Sequence, residues 1–366
     1  MEVALKTILM TGVTGFLGSS LALSFLKRGD KVWCWGRRDL DGSRARTALL
    51  NAAQAFSVEL TDEDLSRLKV SSGEMTELLK SDVISKEAAD VDEVWHCAAH
   101  MSYALEDAEI SMAVNLHATS NFYTWCVSNL KACRRFYFVS TIYSAGIGGG
   151  VGEEALHPTP NLPTPYHSSK WCAENVLAGA AHQSSLPVTI LRPSSILGHT
   201  QTFWSNGNHF GYNTFVKAFH MASKLRLKEI CVELDPTALV HTICVDEVVQ
   251  AALALSARPQ TTSQFEIFHC THSQPLPAIK HLEIIAQTTG VGVAFGKPVT
   301  MYDRRLDRTV SHLKRLISAQ WQFKTEKLLR EVGCEFQGLN EAAVASQVRA
   351  ILGYGLSTDR PTEFSA

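Results

Sequence analysis

Tyr166 and Lys170 stand four residues apart in the stretch Thr164-Pro165-Tyr166-His167-Ser168-Ser169-Lys170-Trp171-Cys172-Ala173-Glu174. Thr164 suits an N-cap and Pro165 a first helical position, so phenol and ammonium fall on one helix face, one turn apart. An ammonium beside a phenol favours the phenolate and eases movement of its proton. The same lysine can hold a cofactor ribose while the tyrosine donates to a substrate carbonyl oxygen. Ser140 and Thr141 follow an apolar run at Arg135–Val139, and a hydroxyl from either could share that oxygen. Asn115, midway along the preceding helical segment, is of a type that holds a water or a backbone bend beneath the lysine.

A Tyr-x-x-x-Lys pair is common by chance, and its meaning depends on the elements that position it. Thr7–Met10 is a short apolar run fitting a buried parallel strand, and it leads directly into Thr11-Gly12-Val13-Thr14-Gly15-Phe16-Leu17-Gly18. Leu17, Leu21 and Phe25 then mark a helix face that stops at Gly29. Strand, glycine turn and helix in this order predict a dinucleotide site, with Gly12 for the tight turn, Gly15 for close approach of a pyrophosphate and Gly18 for close packing of the helix. Thr14, Phe16 and Leu17 complete that turn, and the helix N-terminus offers free N–H groups to phosphate.

Further strands are expected at Lys31–Trp35, Leu68–Ser71, Glu93–His96, Arg135–Val139, Val188–Leu191 and Phe265–His269. The second ends in Gly36-Arg37-Arg38. No carboxylate stands there for a ribose 2′-hydroxyl, whereas Arg37 and Arg38 suit a 2′-phosphate, which favours NADPH over NADH. Glu74 and Met75 fall where an adenine is held, and Cys97, Ala98 and Ala99 are small enough to let a ribose pass. Pro193, Ser195 and Ile196 follow the sixth strand as further cofactor contacts. His96 lies inside an apolar strand and reads as a hydrogen-bonded core residue. The fold class is therefore α/β, a doubly wound parallel sheet, with an NADP-binding core over 1–198. Residues 199–366 form mainly a smaller, mostly helical substrate-binding lobe, from which 241–270 return to the core sheet. Lys217, Lys224, Arg226 and Lys228 form a modest basic cluster, either a solvated face or a contact for phosphates of CoA or a carrier arm. The last dozen residues are expected to be disordered.

Composition narrows the partners. A formal charge of −2 in 366 residues gives no electrostatic reason to bind nucleic acid, and no apolar run reaches membrane-spanning length. The N-terminus lacks the order of a signal peptide. Nine scattered cysteines without a C-x-x-C pair suit reduced thiols in a cytoplasmic protein, and neither they nor the fourteen histidines show metal-ligand spacing, so no metal is expected.

TGVTGFLG at 11–18, VWHCAAHMSY at 94–103, FVSTIYSAG at 138–146 and YHSSKWCAE at 166–174 together resemble the extended short-chain dehydrogenase/reductase superfamily. Within it, Ser169–Glu174, RPSSILG at 192–198 and the CWGRR turn are most similar to the thioester-reductase-like and fatty acyl-CoA reductase group. That resemblance covers about residues 5–270 and implies Thr141, Tyr166 and Lys170 as the catalytic hydroxyl, acid and ribose-binding lysine, with Asn115 as a fourth member. It further implies hydride transfer from NADPH to an acyl thioester, delivered on CoA or an acyl carrier protein, releasing an aldehyde and a thiol. A homodimer through the Tyr166 helix also follows from the resemblance. Glu74 departs from the shorter carboxylate of the group, and no adenylation or carrier domain and no membrane-anchored extension is recognisable. Three other readings share the residues: an NADPH-dependent ketone or aldehyde reductase, a sugar-nucleotide epimerase or dehydratase, and an NADPH-sensing scaffold. Ile142 and Tyr143 stand where a dehydratase carries carboxylates, which weighs against that member of the second class.

Overall fold

The computed structural model describes residues 5–37, 39–73, 90–207, 211–259 and 261–354. Seven parallel strands form its central sheet: β1 (Thr7–Thr11), β2 (Lys31–Gly36), β3 (Leu68–Ser72), β4 (Glu93–His96), β5 (Arg135–Val139), β7 (Val188–Pro193) and β11 (Phe265–Cys270), with β6 (Gly150–Gly152) lying outside it. Their spatial order is β11-β7-β5-β4-β1-β2-β3, a Rossmann-type arrangement whose direction of winding reverses between β1 and β4. Ligands of such sheets bind beyond the strands' carboxyl ends at that reversal.

The apolar runs are continuous because both faces are covered. Ile8 and Met10 pack beneath the helices Phe16–Arg28, Ser43–Ala55 and Val245–Ala257. Leu9, one residue out of phase, joins Phe136 and Phe138 against the helices Ala118–Asn129 and Pro165–His182. Trp95 and Tyr137 stack at 4.1 Å across β4 and β5.

A second core gathers the C-terminal elements. Phe215 and Phe219 of the helix Tyr212–Lys224 meet Leu282 and Ile285 of Ala278–Thr289, Leu313 of Ser311–Ser318 and Val348 of Glu341–Tyr354. Three two-stranded parallel sheets stitch this part together: β8 (Ser195–Leu197) with β10 (Thr242–Cys244), β9 (Glu229–Val232) with β12 (Gly292–Phe295), and β6 with β13 (Trp321–Phe323). All three differ from expectation. The strand expected near His241 to rejoin the main sheet pairs instead with β8, because β11 already occupies the edge beside β7 from Val188 to Pro193. The region beyond 275, expected to be mostly helix, also contributes β12 and β13, each too short for alternation to register.

All nine cysteines are free thiols. Among the described residues, no helix is long and apolar enough to cross a membrane.

Candidate active site

The glycine turn explains itself by distance. Gly12 has φ +77°, and a Cβ on it would lie 2.6 Å from the Ala98 backbone nitrogen, so a side chain is excluded where β1 passes β4. A Cβ on Gly18 would lie 2.1 Å from the Gly12 carbonyl oxygen; the helix closes on the turn itself. Gly15, the N-cap of that helix, meets only the Gly12 oxygen and faces open space. Thr11 Oγ1 accepts from the Ala98 amide and pairs at 2.7 Å with His96 Nδ1, while His96 Nε2 pairs with Thr119. Burial lowers His96 to about 3, so this histidine is neutral and structural, as its strand context suggests.

Beyond the turn lies a cleft of about 510 Å³ reaching from Thr14, Cys97, Ala98 and Ala99 to Arg37. Arg37 is exposed at its rim, and Arg44, from the first turn of Ser43–Ala55, joins it and donates to the Arg37 carbonyl. A carboxylate does stand close by. Asp39 lies two residues past Arg37, but it is buried and accepts from the Arg44 and Ala45 amides at 2.9 Å, so its charge is spent on a helix N-terminus. Arg38, Glu74 and Met75 lie outside the described residues, as do the last twelve.

The cleft opens into a chamber of about 410 Å³ whose floor is the expected chemistry. Gly12, Gly15, Phe16, Leu17 and Gly18 form one side, and Pro193, Ser195 and Ile196 another. Thr164 caps the helix Pro165–His182 through the His167 amide, with Pro165 in its first turn, which sets Tyr166 and Lys170 toward the ends of β4 and β5. Lys170 is almost wholly buried; its Nζ donates to the Val139 carbonyl at 2.7 Å and lies over the Phe138 ring. Burial pulls it down to about 8, opposed by Cys97 and Glu174, so near neutrality it still carries its proton. Burial raises the Tyr166 phenol above its ordinary range, with Glu174 adding to the effect, so desolvation outweighs the lowering that the lysine was expected to give.

Thr141 and Ser140 both line this chamber. Thr141 Oγ1 accepts from the Tyr143 amide at 3.3 Å, which leaves its own O–H free to donate. Ser140 Oγ is buried without a hydrogen-bond partner. Two hydroxyls and a phenol therefore converge on one space.

Asn115 does not line the chamber. It sits fully buried in a π turn, Ala113–His117, accepting from the His100 amide and donating to the His100 carbonyl and Ser169 Oγ. It braces the β4 exit loop against the helix one residue before Lys170. A second brace lies one turn beyond the lysine: Glu174 and Arg192, both fully buried, form a two-pronged ion pair at 2.9 and 2.6 Å.

Residues not singled out from sequence complete the walls. Tyr103, stacked on His167, and Tyr143 come from turns after β4 and β5, while Leu313 and Leu316 reach in from the C-terminal core. The leucines carry only the i, i+3 signal of ordinary core. In the basic cluster, Lys217 turns inward, its Nζ buried without a hydrogen-bond partner, leaving Lys224, Arg226 and Lys228 exposed. Elsewhere the ligand atoms of Cys244, Glu247 and His272 come within 4.8 Å of one another, the first two from one helix-capping turn and His272 from a distant segment. Glu247 there accepts from the Cys244 amide and is paired with His272 Nε2 at 2.8 Å.

Residues 10–252 match the Male sterility protein family of NAD-binding domains. Among individual proteins, the chain is 26% identical over 284 residues to a nonribosomal peptide synthetase of Aspergillus campestris, covering 73% of this chain and 26% of that one. It is 27% identical over 243 residues to an adenylate-forming reductase of Aspergillus terreus, covering 60% and 22% respectively. The chain thus spans about a quarter of the length of these relatives. In structure it is similar to the terminal R domain of the myxalamid PKS-NRPS pathway, with a TM-score of 0.74 at 22% identity over 96% of this chain and 92% of that one. A UDP-glucuronic acid 4-epimerase of Bacillus cereus, solved with NAD, gives 0.66 at 18% identity over 96% and 99%.

Proposed function

From the premise that the chain belongs to the Male sterility protein family, in the thioester-reductase-like group of the extended short-chain dehydrogenase/reductases, we propose that it reduces an acyl thioester with NADPH to release an aldehyde and a thiol. The observation that carries this reading is the convergence of Tyr166, Thr141 and Lys170 on one chamber continuous with a glycine-lined dinucleotide cleft.

The residues present fit such a cofactor. The turn at Gly12 and Gly18 admits no Cβ, Gly15 faces the cleft, and Arg37 and Arg44 both line it where a 2′-phosphate would be held, the Arg44 guanidinium donating to the Arg37 carbonyl. The chemistry that NADPH would contribute, were it held in this cleft, is a hydride for the acyl carbon. Tyr166 and Thr141 donate hydrogen bonds to the carbonyl oxygen and stabilise the negative charge that develops there. Lys170, charged below about pH 8, holds the ribose and favours proton movement through Tyr166. When the C–O bond re-forms its double bond, the C–S bond breaks; the thiolate leaves with the electron pair and takes a proton. Asn115 and the Glu174–Arg192 pair act as positioning groups.

Delivery on a carrier protein is supported by the relatives, which include a nonribosomal peptide synthetase. The epimerase likeness shares the fold. One experiment separates these: NADPH oxidation with acyl-CoA and acyl-pantetheine panels, trapping aldehyde and titrating thiol. Aldehyde and thiol in equal amounts are expected. Oxidation only with free aldehydes or ketones would make the protein a carbonyl reductase. Conversion of UDP-sugars with no thioester turnover would make it an epimerase.

A further inference from the structure

A narrow recess of about 30 Å³ opens off the chamber and runs into the C-terminal core. Tyr143, Ser195, Tyr212, Leu313 and Leu316 line both spaces and form the threshold between them. Beyond it the walls are mostly hydrocarbon: Phe215 from one helix, Ala278, Leu282 and Ile285 from a second, Ile317 from a third, with His281 the polar exception, its Nε2 buried without a hydrogen-bond partner. The phenols at the threshold are already committed, Tyr143 donating to the His241 carbonyl at 3.2 Å and Tyr212 pairing with His281 Nδ1 at 3.2 Å.

We infer that this recess receives the acyl substituent of the substrate and selects a compact hydrocarbon one, with Ala278 and Leu282 setting its depth. The inference rests on the carbonyl-reducing reading above and names the class of acyl group. A charged substituent would lose its water and meet no opposite charge on these walls, only the His281 imidazole, which burial keeps neutral, at a cost that hydrocarbon escapes. At roughly 10–15 Å³ of such space per water-sized group, the recess takes about two to three heavy atoms. Each methylene buried there is worth about fourfold in kcat/KM until the space is full.

The test is a length series of saturated acyl-pantetheines, from acetyl to dodecanoyl, with a glutaryl member and the matching aldehydes. Wild-type protein is expected to rise about fourfold per methylene over the first few carbons and then fall, with glutaryl rejected. Ala278→Leu should shift the optimum to shorter chains and Leu282→Ala to longer ones, with NADPH affinity unchanged in both. The two variants move the optimum in opposite directions, so one poorly folded protein leaves the other decisive. An optimum that neither variant moves, or glutaryl accepted as well as its hydrocarbon counterpart, overturns the inference. If thioesters are inert but aldehydes are reduced, the aldehyde series reads the same recess, and only the thioester reading fails. If both series are inert, reduction and recess assignment fall together.

Discussion

Tyr166 is a buried phenol held above its ordinary range, so its acidity depends on what the carbonyl oxygen and Lys170 do around it. Tyr166→Phe should leave NADPH affinity within about twofold and lower kcat by roughly 10²–10⁴-fold, measured by cofactor fluorescence and single-turnover reduction. Thr141→Val should cost about 10²-fold, the scale of one lost oxyanion donor. Lys170 also predicts a pH effect. Below about 8 it is charged in both folded and unfolded chains; between about 8 and its ordinary 10.5 only the unfolded chain holds the proton. Folding stability from this group therefore rises with pH across that window, while NADPH affinity weakens as pH passes about 8. Lys170→Met should flatten both slopes in denaturation and binding measured against pH. That the tyrosine, the lysine and the glycines would line one space was legible because each motif is contiguous and the strand, turn and helix around it could be read locally. Arg44 was not, since only the fold of the turn brings it back to Arg37, and the same turn hides the Asp39 carboxylate among helix amides. Arg44→Ala should weaken NADPH by about tenfold and NADH little, the loss of roughly one charged hydrogen bond, read from paired Kd values.

The helix Pro165–His182 is held at three heights: capped at Thr164, braced through Ser169 by Asn115, and locked through Glu174 by Arg192. Its cap and first-turn proline were readable locally. The braces were not, because their partners lie 54 and 18 residues away along the chain. Glu174→Ala would leave the Arg192 guanidinium buried without its carboxylate, and thermal unfolding should show a loss of about 3–5 kcal/mol. Among strands, β1, β2 and β5 announced themselves as continuous apolar runs, since both of their faces are covered. The three-residue β10 shows the converse: pairing that short is decided by which edge is free, which no local pattern contains.

At the scale of the molecule, two cores meet at one chamber. The sheet supplies the turn, the hydroxyls and the lysine; the C-terminal core supplies Leu313 and Leu316. The join is made by β6 with β13 and by Trp321 Nε1 donating to the Gly146 carbonyl at 2.7 Å. Gly149 sits in that join with φ +73°, and a Cβ there would lie 2.2 Å from the Ala319 carbonyl oxygen, just after the helix bearing both leucines. Gly149→Ala should raise KM for the acyl substrate several-fold and lower Tm, with NADPH affinity unchanged, as steady-state kinetics and melting curves would show.

The π turn at Ala113–His117 bears on chain length. Such a turn holds one residue more than the α-helical turn it replaces, so the helical halves before and after it are out of step by about 100°. Deleting one residue there would let 108–129 run as a single regular helix while swinging Asn115 off His100 and Ser169. The surplus residue is thus tolerated by the fold and required by the site: a one-residue deletion would be a milder insult to folding than to turnover.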